Sequence, residues 1–150
     1  MSPYQKLETL GIALPTPVPP VAAFVPVVRS GNLAFVSGHV AKRDGAPWKG
    51  RLGADLTVEE GRRAARAAAV DLLATLHTEL GLESVKRIVK LMVLVASAES
   101  FAEQHLVANG ASELFAEVFG EAGKHARSAF GVAAIPLGSC VEVELVAEVG

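Results

Sequence analysis

Length, composition and charge limit the classes of protein to which this chain can belong. It has 150 residues, of which 51% are hydrophobic and 20% charged, and 14 Lys and Arg against 16 Asp and Glu give a net charge of −2. These values exclude a disordered chain and allow one domain with a substantial core. The weak acidic balance and the 5% aromatic content disfavour a nucleic-acid-binding surface. A lone domain of this size hides only about 70% of its unfolded surface. Because this chain is so apolar, we expect partner subunits to cover more of it.

The sequence carries no recognisable targeting or metal-binding signal. No apolar run approaches the roughly 20 residues of a membrane span, and residues 1–6 lack the basic start of a signal peptide. Cys140 is the only cysteine, so neither an internal disulfide nor a cysteine-based metal cluster can form. The four histidines lack metal-ligand spacing. We therefore expect a cytoplasmic protein without a membrane partner, a metal or another cofactor.

The N-terminal part of the chain predicts a leader and a hairpin. Residues 1–20 are expected to be extended, because four prolines between positions 15 and 20 forbid a regular helix. A single domain over residues 21–150 follows. Its first strand, over 24–29, is an edge strand because Pro26 interrupts it. A turn at 30–32 leads into a second strand over 33–40.

Two helices are predicted after a polar loop over 42–55. Thr57 and Glu60 form a capping box at the start of the first helix, whose apolar positions keep helical spacing up to Leu80. Gly81 ends it. The second helix is predicted from Phe101 to Phe119.

Three further strands are predicted around the second helix. The strand over 85–95 has apolar residues on both faces, which predicts that helices cover one face and a neighbouring subunit the other. Strands over 127–135 and 140–149 are joined by a turn at 136–138. The resulting order, β-β-α-β-α-β-β, predicts an α+β sandwich of one mixed sheet and two helices.

Two charged residues stand out in the last two predicted strands. Arg127 is the only charge between Lys124 and Glu142, and an unpaired guanidinium is costly to bury. It is expected either to form an ion pair with Glu142 on a neighbouring strand or to grip a ligand carboxylate or phosphate with its planar fork. Glu144 and Glu148 are expected on a solvated face of the sheet.

Four blocks of residues, taken in order, resemble the RidA family, also called YjgF/YER057c/UK114 or endoribonuclease L-PSP. The blocks are Val36-Ser37-Gly38-His39, Asn109 ahead of Phe115, Arg127-Ser128 followed by Ile135-Pro136, and Val141-Glu142-Val143-Glu144. The resemblance implies a chorismate-mutase-like α+β fold of the bacillary type, with a mixed sheet carrying both helices on one face. It also implies a homotrimer with a central barrel and clefts between adjacent subunits.

The activity implied by this resemblance is that of a hydrolase without a cofactor. It would convert reactive 2-imino acids or enamines to 2-keto acids and ammonia in the inter-subunit clefts. Two alternatives stay open, an endoribonuclease of the L-PSP type and a non-catalytic protein of the same fold that binds a small carboxylate such as a keto acid. The near-neutral charge and the lack of an aromatic platform argue against the endoribonuclease.

The resemblance also implies roles for individual residues. Arg127 matches the arginine that binds the substrate carboxylate, and Glu142 matches the glutamate that holds or activates water. The residues expected to line the cleft are Ser37, Gly38, Asn109, Phe24, Ala129 and Trp48.

Three of those cleft residues mark differences from many family members. Ala129 stands where many members have a cysteine, and there the backbone is the relevant group. Phe24 stands where many have a tyrosine, so a hydroxyl contact is lost. Trp48 lies in a loop that looks like that of a longer-loop branch, where its ring packs for structure or lines the pocket.

Overall fold

The computed structural model describes residues 1–20 and 22–150, in which one five-stranded sheet carries two long helices on one face. The helices are α1 (Pro3–Thr9), α2 (Val58–Leu80) and α3 (Gln104–Phe119). The strands are β1 (Val27–Ser30), β2 (Leu33–Val40), β3 (Lys42–Arg43), β4 (Ala46–Pro47), β5 (Val85–Ala96), β6 (Ala126–Val132) and β7 (Val141–Val149). This architecture confirms the predicted α+β class.

The order of strands in the main sheet is β1-β2-β7-β5-β6, and β3 and β4 form a separate two-stranded ribbon. All neighbours in the main sheet are antiparallel except β5 and β6, which are parallel. A parallel pair needs a crossover connection, which α3 supplies between β5 and β6. The mixed sheet therefore ends in an edge strand, β6, that packs beside α3.

Helix α2 begins at the predicted capping box. The Thr57 hydroxyl accepts a hydrogen bond from the Glu60 backbone N–H at 3.2 Å, and a Glu60 carboxylate oxygen accepts one from the Thr57 N–H at 3.0 Å. One face of the helix is fully buried against the sheet and α3. Its small side chains, which allow this close approach, are Ala64, Ala65, Ala68 and Ala69.

Helices α2 and α3 meet almost backbone to backbone. A Cβ added at Gly110 would collide with the backbone carbonyl of Arg62, so only glycine fits there. The buried side of α3 contributes Val107, Leu114 and Phe115 to the core. Among the described residues, no helix combines the length and the apolarity needed to cross a membrane.

Strand β7 lies in the middle of the sheet and alternates as predicted. One set of side chains is buried beneath the helices: Val141, Val143, Leu145, Ala147 and Val149. The other set, half-buried on the opposite face, comprises Glu142, Glu144, Val146 and Glu148. We call this opposite side the open face, because no helix of the described chain covers it.

The open face also carries large apolar side chains from the other strands. Phe35 and Val28, which are direct neighbours across β1 and β2, are 45% and 54% exposed. Phe130 of β6 is 43% exposed. On β5, Met92 and Leu94 are half-buried, whereas Leu91 is fully buried under the helices. Within one chain, β5 is thus covered on one side only.

The prediction of an extended leader was wrong for residues 3–9, which form α1. The Ser2 hydroxyl accepts the backbone N–H of Gln5 at 3.2 Å, and Leu7 is buried with an exposed fraction of 3%. The Tyr4 hydroxyl is within 2.8 Å of His77 Nδ1. The four prolines between positions 15 and 20 lie beyond this helix, so they do not prevent it from forming and packing on the rest of the protein.

Two half-sites on opposite faces of the sheet

Arg127 lies on the edge strand β6 and points towards α3. Its Nη1 donates to Asn109 Oδ1 at 2.8 Å and to Ser112 Oγ at 3.1 Å, and its Nη2 donates to the carbonyl of His105 at 3.3 Å. Three of the five guanidinium N–H groups therefore have acceptors. Within the described part of the chain, Nε and the second Nη2 hydrogen have none. Two such donors are what a carboxylate or phosphate accepts in a bidentate pair.

A cavity of about 330 Å³ opens beside this guanidinium. Its lining consists of Ser112, Glu113, Ala116, Lys124, His125 and Arg127. The volume is at the small end of the range found for ligand sites, which suits a metabolite of a few heavy atoms. Its charged lining is of both signs, with Lys124 and Arg127 opposing Glu113. The structure thus brings the predicted residues Arg127 and Asn109 together at an accessible place.

Glu142 lies on the open face of β7, paired with Val40 of β2 and Leu94 of β5. Its carboxylate rests against Gly38, and a Cβ added at Gly38 would collide with Glu142 Oε2. The register of β2 shifts between Val36 and His39, so a bulge presents the Gly38 backbone to the carboxylate. The structure therefore brings Gly38 and Glu142 together on the open face.

Partial burial raises the pKa of Glu142 above its ordinary value, and the neighbouring Glu144 carboxylate adds to the effect. A carboxylate with a raised pKa is a better proton acceptor than an ordinary one, which suits a general base. Beside it, the Ser37 hydroxyl donates to the Val25 carbonyl at 2.6 Å. That bond ties the segment around Phe24 to the bulge.

The ion pair between Arg127 and Glu142, one of the two alternatives that the sequence left open, is not formed within the chain. Strand β5 lies between β6 and β7, with Leu91 opposite Arg127 and Leu94 opposite Glu142. Leu91 and Leu94 are three positions apart on β5 and therefore point to opposite faces of the sheet, so Arg127 and Glu142 also lie on opposite faces. That alternative treated the last two strands as neighbours, whereas the α3 crossover places β6 beyond β5.

The remaining predicted residues fall in different places. Ala129 follows Arg127 on the same side of β6, packed against the core. Phe24 is 50% exposed beside Val25. Trp48 is half-buried against the core, with the Arg43 guanidinium 5.1 Å from its ring centroid. The backbone N–H of Cys140 donates to the Trp48 carbonyl at 2.8 Å, and no described contact joins Trp48 to either half-site.

Comparison with known proteins identifies the family. The family model described as "YjgF/chorismate mutase-like, putative endoribonuclease" matches residues 5–149. The chain belongs to this family. Membership confirms the resemblance drawn from the four sequence blocks, and the match starts inside the segment that was predicted to be a separate leader.

Three relatives illustrate the breadth of the YjgF family around this member. Protein TCP17 from Trypanosoma cruzi is 50% identical over 145 residues, covering 95% of this chain and 91% of TCP17. The structure of Atu1372 from Agrobacterium tumefaciens, a protein of unknown function, has a TM-score of 0.91 at 40% identity over 99% and 92% of the two chains. A "putative endoribonuclease" from Shewanella oneidensis has a TM-score of 0.95 at 33% identity over 99% and 100%.

Sequence reasoning missed two residues at the Arg127 half-site of this YjgF-family member. Ser112 binds Arg127 directly, and His125 Nε2 is 2.9 Å from Ser112 Oγ. Their spacing was a usable signal, because Asn109 and Ser112 are three apart on a helix and His125 and Arg127 two apart near a strand. The two residues of each pair therefore point to the same side of their segment.

Cysteine and metal chemistry find little support in the described residues. Burial raises the pKa of the Cys140 thiol to about 11, which leaves it protonated and unreactive near neutral pH. No group of three His, Cys, Asp or Glu side chains in residues 1–20 and 22–150 is arranged to hold a metal ion.

Proposed function

We propose that this protein hydrolyses 2-imino acids to 2-keto acids and ammonia in clefts between the subunits of a homotrimer. The observation that carries the proposal is the pair of complementary half-sites. One offers an arginine with two unused donors, and the other offers a half-buried carboxylate of raised pKa. The first suits a carboxylate and the second suits activation of water.

The reaction needs few protein groups. The two unused N–H groups of Arg127 bind the substrate carboxylate and orient the imine carbon. Glu142 accepts a proton from water as the water oxygen bonds to that carbon of the protonated imine, which converts the C=N double bond to a tetrahedral amino alcohol. Glu142 then passes this proton to the nitrogen and takes the hydroxyl proton of the amino alcohol, so that the C–N bond breaks and ammonia leaves as the C=O bond forms. Water supplies all the atoms that are added, so no cofactor takes part.

The homotrimer is proposed because each half-site needs a second copy. Apolar patches on soluble proteins mark interfaces, and the open face exposes Phe35, Val28 and Phe130. In a closed cyclic assembly, one surface of each copy meets a different surface of the next. The edge strand bearing Arg127 would meet the open face bearing Glu142, so that each cleft draws on two copies. Family membership supports this arrangement.

The family description supports a second candidate, cleavage of RNA. In that reaction the free donors of Arg127 would bind a phosphate instead of a carboxylate. The net charge of −2 gives no general attraction for RNA. A highly purified sample that degrades RNA, and loses that activity on Arg127→Ala, would favour this candidate. Binding of a keto acid without imine turnover would instead favour a non-catalytic binding protein.

A coupled assay tests the deaminase. An amino-acid oxidase supplies 2-imino acids from several amino acids, and semicarbazide competes for the imine that remains unhydrolysed. We expect the wild-type protein to accelerate imine loss and Arg127→Ala to abolish the acceleration without changing the assembly. Arg63→Ala, at an exposed position of α2, is the matched control and should behave as wild type. Equal rates for wild type and Arg127→Ala would contradict the role of Arg127.

A further inference from the structure

His125 is connected to Arg127 through one group, the Ser112 hydroxyl. Its Nδ1 lies 2.6 Å from the carbonyl oxygen of Gly123, and its Nε2 lies 2.9 Å from Ser112 Oγ. The ring is half-buried and meets the Phe115 ring edge-on, with centroids 6.3 Å apart. These contacts hold the imidazole in one orientation.

The direction of each hydrogen bond follows from the chemistry of the partners. A carbonyl oxygen only accepts, so Nδ1 carries the proton and donates to Gly123. Nε2 of the neutral ring is then an acceptor, and the Ser112 hydroxyl must donate its single proton to it. The lone pairs of Ser112 Oγ are left to accept from Arg127 Nη1 at 3.1 Å. The neutral histidine thus directs the serine proton away from the guanidinium.

The carbonyl that orients His125 is itself fixed in place. Gly123 is buried at the end of a short 3-10 helix, and a Cβ there would collide with the backbone of Phe115 in α3. Only glycine allows the chain to approach α3 so closely. The Gly123 carbonyl, the imidazole and the Ser112 hydroxyl therefore form a rigid connection between α3 and β6.

We propose that Ser112 and His125 are positioning residues for Arg127, with neutral His125 orienting the Ser112 hydroxyl so that its oxygen accepts from the guanidinium. The proposal deepens the proposed function, since it concerns how the carboxylate anchor is held. Nη1 is engaged by Ser112 and Asn109, and this directs the other donors of Arg127 towards a ligand. Both residues line the cavity beside Arg127, but in this scheme they act through the guanidinium and not through bonds to the substrate.

Protonation of His125 would break this arrangement. Nε2 would become a donor, Ser112 Oγ would have to accept from it, and two cations would share one hydroxyl. Burial lowers the pKa of His125 below its ordinary value of 6.5, and the Arg127 charge lowers it further. The anchor is therefore intact at neutral pH and weakens in acid.

The charged groups around His125 come from every neighbouring element. Arg127 lies on β6, two residues after His125, and Glu113 on α3 lines the same cavity together with Lys124. A second cavity beside it is lined by Arg87 of β5. Lys124 is paired with Glu121 at 2.7 Å. Lys124, Arg127 and Arg87 thus line cavities together with the imidazole, while Glu113 is engaged by Arg62 at 2.9 Å.

The test measures binding of 2-oxobutanoate by calorimetry and imine hydrolysis in the coupled assay. Ser112→Ala and His125→Leu should each raise the Kd and the KM about fivefold to tenfold, since one hydrogen bond to a charged group is lost and Asn109 remains. The kcat should stay within about twofold of wild type. Ser112→Thr and His125→Gln restore the hydroxyl and the acceptor, and both should bind 2-oxobutanoate as wild type does.

Two further measurements separate positioning from a merely structural role. The Kd of wild type should rise as the pH falls through the lowered pKa of His125, and the Kd of His125→Gln should rise less, because its amide does not titrate. The double variant Ser112→Ala/His125→Leu should be no worse than Ser112→Ala alone, since His125 acts through Ser112.

The outcomes distinguish this proposal from the proposed function. Wild-type Kd in folded Ser112→Ala and His125→Leu, as judged by circular dichroism, would overturn the positioning roles while leaving the deaminase untouched. Equal pH profiles for wild type and His125→Gln would overturn the role of the neutral imidazole. Wild-type 2-oxobutanoate binding by Arg127→Ala would instead overturn the carboxylate anchor on which both proposals rest.

Discussion

Arg127 and Glu142 lie on opposite faces of one sheet, with β5 between their strands. Under the proposed function, one chain therefore holds two halves of a site that it cannot close by itself. Mixed oligomers of two inactive variants, Arg127→Ala and Glu142→Gln, should regain activity, because some clefts then combine intact halves from different copies. With random mixing, about one cleft in four should be intact. Co-expression of the two variants followed by the coupled assay measures this recovery.

The control for this experiment mixes Arg127→Ala with the double variant Arg127→Ala/Glu142→Gln. No copy in that mixture has an intact arginine, so no activity should return. Recovery in the control, or none in the test mixture after subunit exchange is demonstrated, would refute a cleft shared between copies.

Gly38 leaves room for the Glu142 carboxylate. Replacing it with alanine should push that carboxylate aside, since the added Cβ would collide with Oε2. We expect kcat for imine hydrolysis to fall about tenfold or more, because small displacements of a catalytic group are costly. The melting temperature should also fall, and the second substitution Glu142→Asp, which shortens the side chain, should restore part of it. Wild-type kcat and melting temperature in Gly38→Ala would contradict this contact.

His39 is predicted to make stability depend on pH. Its Nδ1 donates to the Ser37 carbonyl at 2.7 Å, its Nε2 accepts from Thr75 Oγ1 at 2.8 Å, and burial lowers its pKa. The unfolded chain therefore binds this proton more readily than the folded one. The stability that this difference contributes is present above the unfolded-state pKa near 6.5. It is lost as the pH falls through the lower pKa of the folded state.

His39→Gln should accordingly show a weaker loss of stability between about pH 7 and pH 5 than the wild type. Urea unfolding at several pH values measures the difference. Asp71, which interacts with His39, has a pKa raised by burial, and its contribution has the opposite sign: stability is present at low pH and lost as the pH rises. An unchanged slope in His39→Gln would contradict the assignment.

The open face should mediate association. Phe35 is 45% exposed there, beside Val28 and Val146. Phe35→Glu should dissociate the oligomer and abolish imine hydrolysis, because a charge would be buried at the interface. Val18→Glu, at a 66% exposed apolar residue outside the sheet, is the control and should leave the assembly intact. Sedimentation velocity distinguishes the species, and an intact trimer in Phe35→Glu would refute the interface.

Local patterns in the sequence predicted several elements correctly. The capping box at Thr57 and Glu60 and the small residues of α2 specify a helix that packs closely, and the alternation over β7 specifies which side chains are buried. These features depend on neighbours a few residues away, so the sequence carries them directly. Helix α1 was not predicted because the prolines at 15–20 prevent a helix only locally, whereas Ser2 caps a helix that already ends at Thr9.

The composition determined by itself that this chain is an apolar folded domain, and four residue blocks determined its family. Only the tertiary structure decided that β6 pairs with β5, and hence that Arg127 and Glu142 are apart. Strand partners are chosen by contacts across the whole fold, which no local pattern encodes. The same is true of Ser112 and His125, because their hydrogen bond forms only once α3 has packed beside β6. Part of the high apolar content of the sequence lies on the open face, which no helix of the described chain covers.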